Sequence, residues 1–310
     1  MGHRFLLLVL FGLSVFLQAQ TPNKFPFKKQ DMPFNAAAVE RPIDHDCGSG
    51  GTDSGAAAQQ AQNRAKNDFG EHGTPVEIKI TDFDLLEKAT EDAKKCAANH
   101  LTGCQKLVMT NVGDQLLPSD RNPLKNIART AAGASVGEGT VVVLEAKVHH
   151  AKYSNSKFDL HKLPNGTLEH STGESVNCKG VPDAGASSEI DRNDIHIVLV
   201  APGVTDECKS VTAEISPHFR PESWRHFHNQ GPNQKGEKVS DVVKGVNFAQ
   251  FKAVRITGPL FYDASHTACT PGHSTSPPRR SIWEIHPVYK LEVQKSSGQW
   301  ISFEQFMNAH

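Results

Sequence analysis

Five runs of apolar, β-branched and aromatic residues mark the second half of the chain: 140–148, 194–200, 210–216, 253–262 and 281–293. In most of them apolar and polar residues alternate with the period of two that a strand requires. A polar, partly helical stretch, 218–245, separates the third run from the fourth. Three strands, an insert and two further strands is the strand order of a five-stranded barrel of OB type. Gly258 suits a strand that bends where a side chain would be in the way. The first half reads differently. An alanine-rich helix is predicted from Thr52 or Ser54 to near Phe69, with Gly70 as its stop. Val76, Ile78 and Ile80 alternate in a short strand, and Thr81-Asp82 caps a second helix from Phe83 to about His100. A short helix is expected around 122–130. The predicted fold class is α+β: a helical N-terminal region followed by a small, disulfide-braced, five-stranded OB-like β-barrel.

The leading residues refine this division. Arg4 precedes an apolar run from Phe5 to Leu17 that ends in Gln18-Ala19-Gln20. That is the form of a cleavable signal peptide, and the run is too short for the ~20 residues of a membrane span. The expected organisation is a signal peptide at 1–20, an extended arm at 21–51, a mostly helical region at 52–135 and the barrel domain at 136–310. Secretion or residence in a periplasm follows from the leader. All six cysteines lie beyond it, and an even count in an exported chain reads as disulfides. Cys96 with Cys104 closes a local loop; Cys178 with Cys208 and Cys47 with Cys269 are the remaining pairings favoured.

Charge narrows the partners. The formal net charge of −1 becomes −2 when Arg4 leaves with the signal, 32 basic residues standing against 34 acidic ones. Such a chain lacks the general electrostatic grip of non-specific nucleic-acid binding, so a nucleic-acid partner is not favoured. No later segment is apolar enough to span a membrane. The 16 histidines are the compositional oddity, since imidazole is the commonest metal ligand.

Several phrases, Gly173-Glu174-Ser175-Val176-Asn177-Cys178, Asn193-Asp194-Ile195-His196-Ile197, Ala213 to Pro221 and Trp283-Glu284-Ile285-His286-Pro287-Val288, resemble a group of exported bacterial proteins. The likeness covers roughly the C-terminal half, and Arg41-Pro42-Ile43-Asp44 with the alanine-rich helix is similar to that group's N-terminal part. It carries no activity and no catalytic residue to this chain.

Candidate chemistry rests on strand parity. His196, Glu214 and the pair Glu284 and His286 fall on the faces opposite Ile195, Ala213 and Trp283, outside the expected apolar core. His218 and His266 follow the third and fourth strands. His196, Glu214, His266 and His286 are a candidate set for a divalent metal such as zinc, and His196, Glu214, His218, Arg220 and His286 a candidate ligand-binding set. The plainer reading is polar strand residues facing solvent. Adjacent His149 and His150 carry little weight, because one of two neighbouring strand residues faces outward in any case. No HExxH or phosphate-loop motif is present. The reading that results is an exported binding module for an oligosaccharide, a nucleic-acid fragment or a protein. The alternatives are a metal-dependent hydrolase, nuclease or phosphoesterase, built on the His and Glu cluster, and a structural protein of the envelope.

Overall fold

The strands read from the sequence join in one sheet, and the sheet closes on itself. The computed structural model describes residues 43, 47–48, 50–51, 56–70, 73–154, 160–162, 168–170, 175–177, 193–218, 220–229 and 245–309. The leader and nearly all of the arm lie outside them. In chain order the regular elements are α1 (Ala57–Lys66), β1 (Val76–Ile78), α2 (Asp82–Ala98), β2 (Met109–Val112), β3 (Gln115–Pro118), β4 (Ala128–Arg129) and β5 (Ser135–Val136). There follow β6 (Val141–Tyr153), β7 (Leu160–Lys162), β8 (Leu168–His170), β9 (Ile195–Val200), β10 (Val211–Ile215) and β11 (Ala253–Tyr262). The chain ends with β12 (Trp283–Ile285), β13 (Lys290–Gln294), β14 (Trp300–Ser302) and α3 (Phe303–Asn308).

Strands β6, β9, β10, β12 and β11 pair in that order, and β11 returns to pair with β6, which closes a five-stranded barrel. Neighbours run antiparallel except β10 and β12, which are parallel. Strand β1 adds to β6 in parallel, and β13 and β14 extend the sheet beyond β11. The last run of the sequence is therefore two strands. It breaks at Pro287, which has no amide N–H to give to a ladder. At the break, Gly258 of β11 lets Pro287 come close: a Cβ there would stand 2.3 Å from the Pro287 carbonyl oxygen.

Ile195, Ile197 and Leu199 of β9, Val211, Ala213 and Ile215 of β10, and Trp283 and Ile285 of β12 share one apolar core with Val142, Leu144 and Ala146 of β6. Helix α2 joins the same core through Phe83, Leu86 and Ala93, spaced to share one face. It is fixed by polar contacts as well: the Trp283 indole N–H donates to Thr90 at 3.0 Å, and Glu87 accepts from the Ser281 hydroxyl at 2.7 Å. Asp82, the first residue of the helix, ties it to its surroundings by accepting backbone N–H groups from Lys79 and Ala131, each at 2.8 Å, whereas Thr81 makes no side-chain cap. Helix α3 begins at a capping box formed by Ser302 and Gln305 and adds Phe303 and Phe306 to the core.

The helix expected at 122–130 is a single 3-10 turn, Asn122–Leu124. The segment around it folds as two hairpins, β2 with β3 and β4 with β5. Cys96 pairs with Cys104. Cys208 pairs with Cys269, which overturns both Cys178 with Cys208 and Cys47 with Cys269. Cys47 is disulfide-bonded too. Among the described residues no helix is long and apolar enough to cross a membrane.

Candidate functional site

Every residue of β9, β10 and β12 is buried, so the polar faces of these strands do not meet solvent as parity alone suggested. Helix α1 covers them. Its buried positions, Ala58, Gln62, Asn63 and Lys66, recur at helical spacing yet are mostly polar. They match a polar surface beneath: Gln62 donates to Asp263 at 3.3 Å, and the Lys66 ammonium reaches four carboxyl groups. It lies 2.8 Å from Glu214, 3.7 Å from Asp194, and 3.8 Å from each of Asp263 and Glu284. Arg279, almost fully buried, adds a second cation 3.6 Å from Glu284. His196 sits opposite Glu214 in the β9–β10 ladder and meets its carboxylate at 3.0 Å. His286, just past β12, lies 3.5 Å from Asp194 and 3.6 Å from Glu214.

Two cations thus face four carboxyl groups away from water, and the carboxyls respond unequally. Burial pushes Glu284 well above the usual carboxylate range, neighbouring Glu214 pushes it further, and Lys66 and Arg279 only partly oppose them. Burial also works to raise Asp263, but Lys66 foremost, then His266, Ser265 and Arg279, hold it well below that range. Glu284 is accordingly the carboxyl inclined to keep a proton and Asp263 the one that stays ionised.

At the edge of this layer a cleft of about 310 Å³ opens between α1 and the turn before β4. Arg64 and Asp68, Arg121 and Lys125, Glu138 and His286 contribute to its walls. Arg121 is committed to the frame: it pairs with Glu138, donates to the Tyr262 carbonyl at 2.6 Å and lies over the Phe261 ring. Asp68 and Asp120 each accept a backbone N–H two residues ahead, from Gly70 and Asn122, at 2.9 Å. His286 differs. It is 1% exposed, it lines the cleft, and neither ring nitrogen makes a hydrogen bond among the described residues. Its Nε2 faces the Asp194 and Glu214 carboxylates at 3.5 and 3.6 Å, which leaves Nδ1 as the ring atom with unused hydrogen-bonding capacity.

The structure brings His196, Glu214 and His286 together, as strand parity allowed, and buries them. His266 does not join them; it is partly exposed and contacts Asp263 at 3.5 Å. Burial shifts His266 below the usual imidazole range despite that carboxylate. His218 is fully buried beside the Phe69 ring, with centroids 5.8 Å apart. Arg220 donates to the Asn193 carbonyl at 3.0 Å and lies over Tyr153, so it braces the start of β9. Sequence reasoning missed Lys66 and Asp263, and it did not assign Asp194 or Arg279 to this cluster. Asp194 alone had a signal, since it shares the parity of His196. The others come from a helix and loops far off in sequence.

Asp194, His196 and Glu214 each offer an atom within 4.8 Å of the others, spacing compatible with a metal ion. Lys66, at 2.8 Å from Glu214, already places a positive charge among these carboxylates. No known protein family, no curated protein and no solved structure matches this chain.

Proposed function

We propose that the protein is an exported, OB-type binding module that takes a small polar ligand into the cleft between α1 and the barrel, with His286 as its inner contact. The observation that carries this reading is the state of His286: buried, cleft-lining and without a hydrogen bond among the described residues. Leaving buried polar atoms unsatisfied costs about 1–3 kcal/mol each, and a ligand group that meets them recovers that cost. A buried ion cluster adds support, because apolar side chains of similar volume would hold such a barrel as well or better. The cleft is at the small end of ligand sites, which run from about 300 to 1,000 Å³. It therefore suits one sugar or nucleotide-sized molecule, and its walls carry both signs of charge, Arg64 and Lys125 beside Asp68 and Asp120, as a polar ligand requires. Export follows from the apolar leader and agrees with the disulfides.

The test is calorimetric screening of the mature protein against acidic monosaccharides, sugar phosphates and nucleotides. Binding by one class is expected, and His286→Ala is expected to weaken it at least about tenfold, the loss of roughly one charge-assisted hydrogen bond. Undiminished binding by His286→Ala would remove the cleft from consideration. The convergence of Asp194, His196 and Glu214 favours a second reading, a metal-dependent hydrolase. That reading requires bound metal that disappears in His196→Ala.

A further inference from the structure

Strand β6 carries a β-bulge, and the bulge changes what two adjacent histidines can do. Val148 pairs with Leu199 of β9, yet the next pairing is His150 with Val198, so His149 is the extra residue. The phase of the strand shifts there. Leu144, Ala146 and Val148 pack on the core before the bulge, and Ala151 and Tyr153 after it. Both His149 and His150 fall between these sets, and both leave the core side. In an unbroken strand they would point to opposite faces.

Their Nδ1 atoms lie 3.0 Å apart, and each is 3.6 Å from one carboxylate oxygen of Glu207. Glu207 is held from behind. Its neighbour Cys208 is bonded to Cys269, Asp206 caps the turn by accepting the Cys208 N–H at 3.0 Å, and Ser210 donates to the Glu207 carbonyl at 2.6 Å. All three side chains are partly open to solvent.

From these distances we infer that His149, His150 and Glu207 form a binding site for a divalent transition ion, zinc or a close neighbour, separate from the buried cluster. Bonds of roughly 2.0–2.1 Å in a tetrahedral arrangement put neighbouring ligand atoms about 3.4 Å apart. The tripod has edges of 3.0, 3.6 and 3.6 Å and needs shifts of only a few tenths of an ångström. Two imidazoles and a carboxylate are a donor set for zinc, copper, nickel or cobalt and not for magnesium or calcium. Among the described residues three ligands converge, and their side chains are partly open to solvent, so the ion keeps an exchangeable fourth position. Without an ion, one Nδ1–H donates to the other ring, which keeps the pair together.

The experiment uses tag-free mature protein stripped with a chelator and titrated with Zn²⁺ in a calorimeter, then with Co²⁺ in a spectrophotometer. The variants are His149→Ala, His150→Ala and Glu207→Gln, with His196→Ala as the control for the buried cluster. One equivalent of zinc is expected, together with a tetrahedral cobalt spectrum. Each tripod variant should bind at least about tenfold more weakly, while His196→Ala binds as the parent does. The tripod residues are not core residues, so unchanged melting of the metal-free variants is expected and is measured alongside. No binding by the parent, binding retained in the tripod variants, or binding lost in His196→Ala would each overturn the proposal. Ligand binding at His286 is read in a separate titration, so the two ideas fail separately.

Discussion

Lys66 shows how one side chain can decide the state of many others. With its ammonium 2.8 Å from Glu214 and within 3.8 Å of three more carboxyls, it supplies one of the two full positive charges in the layer and touches more carboxyls than Arg279 does. Lys66→Met leaves those carboxyls without it and is expected to cost about 3–5 kcal/mol, the usual penalty for breaking a buried pair on one side. Urea unfolding measures this; a loss under about 1 kcal/mol would mean that Arg279 or water compensates. Glu284 gives a prediction with a definite sign. Its folded-state proton affinity is raised above the ordinary value of 4.5, so its contribution is complete below about pH 4.5 and is lost as pH rises towards the folded value. Glu284→Gln never ionises. Its melting temperature relative to the parent is expected to climb as pH rises above about 4.5, and an offset independent of pH would refute the assignment.

At the scale of elements, β11 and β12 depend on a close approach. A methyl group at Gly258 would meet the Pro287 carbonyl oxygen at 2.3 Å and an Ile285 methyl at 2.8 Å, and backbone cannot give way cheaply. Gly258→Ala is expected to destabilise by about 1–3 kcal/mol in thermal unfolding, the range of overpacked cores, and a neutral result would mean the β12–β13 junction can shift. Elements also divide what the sequence disclosed from what it withheld. The five strand runs were legible because Ile195, Ile197 and Leu199, or Val211, Ala213 and Ile215, keep one face apolar. Helix α1 was legible as a helix but not as a lid. Its buried face is Gln62, Asn63 and Lys66, and hydrophobic periodicity cannot detect a face that buries polar groups. The bulge in β6 did leave a trace, the three-residue step from Val148 to Ala151 where two was the rule.

Over the whole molecule, the N-terminal elements and the barrel share one core, since Phe83, Leu86 and Leu124 pack in the same cluster as Trp283 and Val254. Composition announced two regions because helices and strands segregate along the chain, yet burial unites them. The polar layer was half legible for the same reason. Parity set His196, Glu214 and His286 on one side of their strands, but only tertiary packing could say that α1 covers that side. The placement of Lys66 has a further consequence, in how the protein answers to its medium. Mobile ions weaken an interaction only where they can gather around it, and this set lies under a helix with side chains no more than 7% exposed. Surface pairs such as Arg225 with Glu222 are open to that screening and are each worth only about 0–1 kcal/mol. The melting temperature is therefore expected to stay nearly level from about 0.05 to 1 M sodium chloride, and a fall of many degrees would place the stabilising charges at the surface. A protein that keeps its strongest charge contacts beneath a helix holds them whatever the salinity of its surroundings.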